Sequence, residues 1–147
     1  MTIYFYGRTN EWGEFSNFAH FAFELDGKTW PTAEHYFQAM KFAGTKHEED
    51  IRKAARPNDA ARLGRQRSRP LRKDWESVKD DVMRRAVWAK FSAHAELKAL
   101  LLSTGNETIV ENAPGDYYWG CGADGSGKNM LGRILVETRV RLRDELA

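Results

Sequence analysis

Residues 31–42, PTAEHYFQAMKF, place a carboxylate, a carboxamide and an amine at Glu34, Gln38 and Lys41 among aromatic and small apolar side chains. If residues 32–43 are helical, starting at Pro31 or Thr32, a step of about 100° per residue brings those three groups within roughly 60° of one another. Phe42, His35, Ala39, Ala43, Tyr36, Met40, Ala33 and Phe37 fill nearly all the remaining circumference. Such a helix is expected to be buried, and a thin polar line on it must find protein partners or face a wet cavity. On one reading Glu34 and Lys41 are the exposed edge of a core helix, bridged by Gln38. On the other they line a pocket, where a carboxylate serves acid–base chemistry and an amine serves as a nucleophile or a fixed cation.

Two further stretches carry chemistry-bearing residues. Gly122–Asn129, GADGSGKN, falls one residue short of the phosphate-loop pattern GxxxxGK[ST], with Asn129 where a hydroxyl is needed. The preceding DYYWGC is not a buried aliphatic strand, and only 18 residues follow Asn129, so a nucleotide hydrolase of that type is excluded. Glycines at 120, 122, 125 and 127 still permit close backbone approach, and a following helix N-terminus could offer free amides to an anion. A plain turn and helix cap explains the same stretch. From Arg52 to Lys73 there are nine basic residues and one acidic one, against a net charge of +2 for the whole chain. That segment either draws in an anionic partner, nucleic acid or a phosphorylated small molecule, or is a solvated basic face.

The elements that must position these groups follow from pattern. TIYFY and FAFELDGKTW are rich in aromatics, and the Asp26-Gly27 dipeptide suits a hairpin turn, so a small antiparallel sheet is expected near the N-terminus. Pro57 and Pro70 divide the middle into short helices. Trp75, Val78, Val82, Ala86, Ala89 and Ala93 recur at steps of three and four, marking an amphipathic helix. Leu97, Leu100 and Leu101 extend it or start another, which Gly105 ends. Residues 130–146 resume a helical pattern. The fold class is therefore mainly α (α+β), one compact helical domain over residues 1–147 with a small sheet.

Composition bounds the rest. The chain of 147 residues is 41% apolar and 30% charged, and no apolar run approaches the roughly 20 residues of a membrane span. The start lacks the features of a secretory signal, so a cytoplasmic location is expected. Cys121 is the only cysteine, and the four histidines have no metal-ligand spacing. Neither a metal nor a cofactor is implied, and a monomer is compatible with the sequence.

Taken together, FSNF (residues 15–18), FELDGKTWPTAEHYFQAMKF (23–42), LLSTGNETIVENAPGDYYWGCG (101–122) and GKNMLGRILVETR (127–139) resemble the NADAR family, whose members are similar in activity to N-glycosidases. The resemblance implies cleavage of a ribose carbon–nitrogen bond. It also implies a phosphorylated ribosyl substrate: ribosylamino-pyrimidine phosphate intermediates of riboflavin biosynthesis, or ADP-ribose attached to guanine. It places Glu34, Gln38 and Lys41 on the catalytic helix, and Asp116, Trp119, Gly120, Gly122 and Asn129 in contact with base, ribose or phosphate. Ser16, Asn17 and Phe18 would close the pocket.

Cleaving such a bond builds positive charge on the sugar, which a carboxylate can stabilise. Glu34 is the first choice and Asp116 the alternative. If the sugar opens, an aldehyde-level carbon is exposed to Lys41, whose amine must be neutral to attack; burial favours that state and Glu34 opposes it. The competing role for Lys41 is a charged phosphate holder. The rival from another class is a non-catalytic module binding ADP-ribose or nucleic acid through the basic segment and the tryptophans.

Overall fold

A computed structural model describes residues 1–146. Among them the elements run β1 (Ile3–Phe5), a 3-10 turn (Gly13–Phe15), β2 (Phe23–Leu25), β3 (Lys28–Trp30), α1 (Ala33–Met40), α2 (Lys46–Arg52), α3 (Pro57–Gly64), α4 (Trp75–Ala93), α5 (Ala95–Ser103), β4 (Ile109–Glu111) and α6 (Met130–Leu146). The chain divides into two compact units, one of His20–Ala93 and one of Met1–Ala19 with the chain from His94 onward.

In the first unit, Asp26 and Gly27 turn β2 into β3 at positive φ, 56° and 75°, the mirror-image turn whose twist suits a hairpin. The two strands pair antiparallel with Phe23 opposite Trp30. Asp26 also accepts from the Tyr36 hydroxyl of α1 at 2.8 Å and pairs with Arg85 of α4, which ties the hairpin tip to two helices. Helix α1 starts where Thr32 Oγ1 accepts from the His35 N–H at 3.2 Å, an N-cap of the usual kind. All eight of its residues are buried, and α2, α3 and α4 pack around it. It ends at Met40, before residue 43, and Lys41 to Gly44 continue as turns.

His35 shows how a polar residue on such a helix is settled. Its Nε2–H donates to the Ala54 carbonyl at 2.9 Å, while Nδ1 takes the Thr32 hydroxyl proton at 2.8 Å. Burial lowers its pKa, so the neutral ring is favoured. The interior face of α4 comprises Trp75, Val82, Met83, Ala86, Val87, Lys90 and Phe91. Ala93, expected on that face, is exposed; Met83, Val87 and Phe91 offer more apolar area and take the interior instead.

The second unit corrects the reading of the N-terminal aromatic run. TIYFY does form a strand, but β1 pairs in parallel with β4, Ile3 opposite Ile109, in a sheet of its own. Helix α6 packs on β4, and Gly132 makes that approach possible: a Cβ there would lie 2.1 Å from the Ile109 carbonyl oxygen. Helix α5 ends as expected at Gly105, φ 64°. Arg139 donates to Thr104 Oγ1 at 2.8 Å and to the Glu107 carbonyl at 2.9 Å, and Arg143 donates to the Gly105 carbonyl at 2.7 Å. Two guanidinium groups thus cover the carbonyl end of α5, where positive charge is favoured. Among the described residues no helix is long and apolar enough to cross a membrane.

Candidate active site

Glu34, Gln38 and Lys41 lie on α1 and its first following turn and are 6%, 3% and 7% exposed. They are therefore not the wet edge of a core helix. Gln38 Nε2 donates to Glu34 Oε2 at 2.8 Å, one helical turn apart as i,i+4 spacing dictates. The other end of that amide, Gln38 Oε1, is buried without a donor. It rests against Gly64, the last residue of α3, where a Cβ would stand 2.0 Å from it. A side chain at position 64 would push Gln38 away from Glu34.

Lys41 Nζ makes one long contact, donating to the Gly64 carbonyl at 3.5 Å, and lies 5.7 Å from the Phe37 ring centre and 5.9 Å from that of Trp75. Its pKa is lowered to about 8, chiefly by burial, then by repulsion from Arg67 and Arg65; Glu34 pulls the other way. The amine is thus poised to lose its proton within reach of neutral pH, the state a nucleophilic lysine requires. The opposition of burial and Glu34 was legible in the sequence. The part played by Arg65 and Arg67 was not, because only the fold brings the α3–α4 connection back to α1.

The glycine-rich region of the other unit behaves differently. Asn129, φ 54°, accepts from the Glu111 N–H at 2.9 Å and donates to the Ile109 carbonyl at 2.9 Å, so both ends of its amide clasp β4. Asp116 Oδ1 accepts from the backbone N–H groups of Tyr118 and Trp119 at 3.0 and 2.8 Å. A Cβ on Gly122 would strike the Tyr117 ring at 2.3 Å, and one on Gly120 the Ala113 Cβ at 2.9 Å. The anion site considered at the start of α6 is corrected: the N–H groups of Met130 and Leu131 already bond to the carbonyls of Tyr118 and Trp119, at 3.0 and 3.1 Å. Gly120, Gly122 and Gly127 allow the loop to pack closely on itself, whereas Gly125 has nothing within 4 Å of a would-be Cβ and takes a φ of 82°.

The NADAR domain model matches residues 4–143. The chain belongs to the NADAR family. N-glycosidase YbiA of Escherichia coli is 55% identical over 143 residues, covering 97% of this chain and 89% of the relative. The solution NMR structure of E. coli YbiA matches with a TM-score of 0.92 at 54% identity, covering 99% of this chain and 87% of that one. The riboflavin biosynthesis protein PYRR of Zea mays is 42% identical over 152 residues, 93% of this chain but 24% of the relative.

Of the positions implied by the NADAR resemblance, Glu34, Gln38 and Lys41 converge on one buried face. In the other unit, Asp116, Trp119, Gly120, Gly122 and Asn129 lie in the loop before α6. Ser16 and Asn17 are buried beside the 3-10 turn, with Ser16 Oγ accepting from the Phe18 N–H at 3.1 Å, and Phe18 is half-buried. The residues bearing on Gln38 and Lys41 that sequence reasoning did not assign to this site are Gly64, Arg65, Arg67 and Trp75. A glycine at a helix end and two arginines in a basic run carry no local sign of their target.

Proposed function

We propose that this NADAR protein is an N-glycosidase that hydrolyses the C1′–N bond of ribosylamino-pyrimidine phosphates in the cytosol, with ADP-ribose on guanine as a second substrate class. The family, the 55% identical relative named N-glycosidase and the maize relative named for riboflavin biosynthesis support the reaction class and the first substrate. The observation that carries the mechanism is the buried Lys41 amine, lowered to about 8, on the same face as a carboxylate.

The substrate nitrogen's lone pair expels the ring oxygen, which takes a proton, and C1′ becomes an imine carbon. Neutral Lys41 adds to that carbon, a proton passes to the departing nitrogen, and the C1′–N bond breaks to leave a Lys41 Schiff base and the free aminopyrimidine. Water then adds and the C1′–Nζ bond breaks, releasing ribose phosphate and the amine; one water is consumed overall. Glu34, oriented by Gln38, moves the protons. Glu34 is preferred over Asp116 because it bears electrostatically on Lys41, whereas one Asp116 oxygen is held by two amides of its own loop.

Borohydride added during turnover of a ribosylamino-pyrimidine phosphate is expected to fix a pentose phosphate to Lys41, located by peptide mass. An active enzyme that gives no adduct would exclude the Schiff base.

A further inference from the structure

Two cations converge on one backbone oxygen. Lys41 Nζ and Arg67 Nη1 both donate to the Gly64 carbonyl, at 3.5 and 3.2 Å, so the two nitrogens lie no more than about 7 Å apart. Among the nine basic residues from Arg52 to Lys73, five are neutralised locally: Arg52 by Glu49, Arg56 and Arg62 by Asp59, Arg69 by Asp50 and Arg72 by Asp74. Arg65 and Arg67 have no carboxylate partner among the described residues. Both are exposed, and both repel the Lys41 charge. The basic run is therefore not uniform: five of its nine charges are balanced, and of the other four, Lys53, Arg65, Arg67 and Lys73, the two arginines bear on the one amine that the chemistry needs.

We propose that Arg67, assisted by Arg65, forms an anion subsite beside Lys41 that takes the phosphate on the ribose of the substrate. The identity of the sugar rests on the reading under Proposed function; the subsite itself rests on the shared Gly64 oxygen and the absent counter-charges. A guanidinium stays charged at every working pH and presents a planar fork to phosphate oxygens. A lysine cannot hold a phosphate as ammonium and attack carbon as a free amine at once. Assigning the phosphate to Arg67 leaves Lys41 to the chemistry, and the same guanidinium that binds the anion helps keep the amine neutral until the anion arrives.

The test uses the whole chain, with ribose 5-phosphate and ribose as probes titrated calorimetrically into wild type, Arg67→Met, Arg67→Lys and Arg65→Met. Both positions are exposed, so the variants are expected to fold, which circular dichroism checks. Wild type is expected to prefer the phosphorylated sugar by about thirtyfold or more, Arg67→Met to lose most of that preference, and Arg67→Lys to keep part of it. No preference in wild type, or a preference undiminished in Arg67→Met, overturns the subsite. Turnover separates the two readings. With ribosylamino-pyrimidine phosphate, Arg67→Met is expected to raise KM about tenfold with kcat within about threefold, and to move the rise of kcat/KM to higher pH as the repelling charge is lost. Phosphate preference lost in Arg67→Met with no turnover by wild type would sink the glycosidase reading and leave the subsite standing; turnover unaffected by Arg67→Met would do the reverse.

Discussion

In α1 and the turn that follows it, the Gln38 oxygen has no donor and the Lys41 amine has only a 3.5 Å contact. In the loop before α6, by contrast, Asn129 spends both ends of its amide on β4, and Asp116 holds two backbone amides with one oxygen. Both stretches offered the same ingredients to a sequence reading: a carboxylate, an amide and a lysine close by. The difference lies in where the hydrogen-bonding capacity goes. A polar group whose partners are all within the fold specifies architecture, whereas a buried one left short of partners is held at a free-energy cost that folding alone does not explain.

The largest effects should come from breaking the α1 side of this contrast. Lys41→Met is expected to lower kcat/KM by at least about a thousandfold, and Glu34→Gln by at least about a hundredfold. Lys41→Met should also stabilise the protein, by up to about 3 kcal/mol at neutral pH, because it removes a charge that burial disfavours. Loss of activity together with a lower melting temperature would instead mark Lys41 as a structural cation. Asn129→Ala should do the opposite. It leaves the Glu111 N–H and the Ile109 carbonyl unpaired and is expected to cost about 2–3 kcal/mol in denaturant unfolding, with KM of the folded fraction within about threefold. A KM increase of tenfold or more without loss of stability would make Asn129 a substrate contact first. Gly64→Ala is intermediate: a methyl 2.0 Å from Gln38 Oε1 must move that side chain, costing about 1–2 kcal/mol and about tenfold in turnover as Glu34 loses its partner. Unchanged kinetics would show that Gln38 does not orient Glu34.

Local signals made part of this visible in the sequence. The Asp26-Gly27 turn, the Thr32 start of α1, Pro57 at the head of α3 and Gly105 after α5 each depend on a few adjacent residues, and each is where the pattern put it. The burial of α1 was legible because an almost wholly apolar circumference leaves a helix nowhere else to go. What was missed depends on partners distant in sequence. The pairing of Ile3 with Ile109 has no local sign, since a three-residue strand reads alike whichever neighbour it takes. Arg67 meets Lys41 only because α3 folds back onto α1, and the free amides expected at α6 vanish because Tyr118 and Trp119 supply carbonyls from the preceding loop.

The smallest effect is a titration, and it separates chemistry from architecture within α1 and its first following turn. Lys41 and His35 both have lowered pKa values. For Lys41, activity that needs the neutral amine should rise as pH rises and level off above about 8; a fixed phosphate-holding cation would instead lose activity there. For His35 the consequence is in stability. The unfolded chain takes up a proton near the ordinary value of 6.5, while burial makes the folded ring resist it against the opposing pull of the Ala54 carbonyl. Below about pH 6.5 the unfolded state binds more protons, so the contribution of His35 is complete above that pH and drains away as pH falls toward the folded value. Denaturant midpoints from pH 7.5 down to 5 should therefore decline in wild type and decline less in His35→Gln, while the activity rise near 8 is the same in both. If His35→Gln shifted the activity profile instead, the imidazole would belong with Lys41 and Glu34 among the groups that touch the substrate's protons.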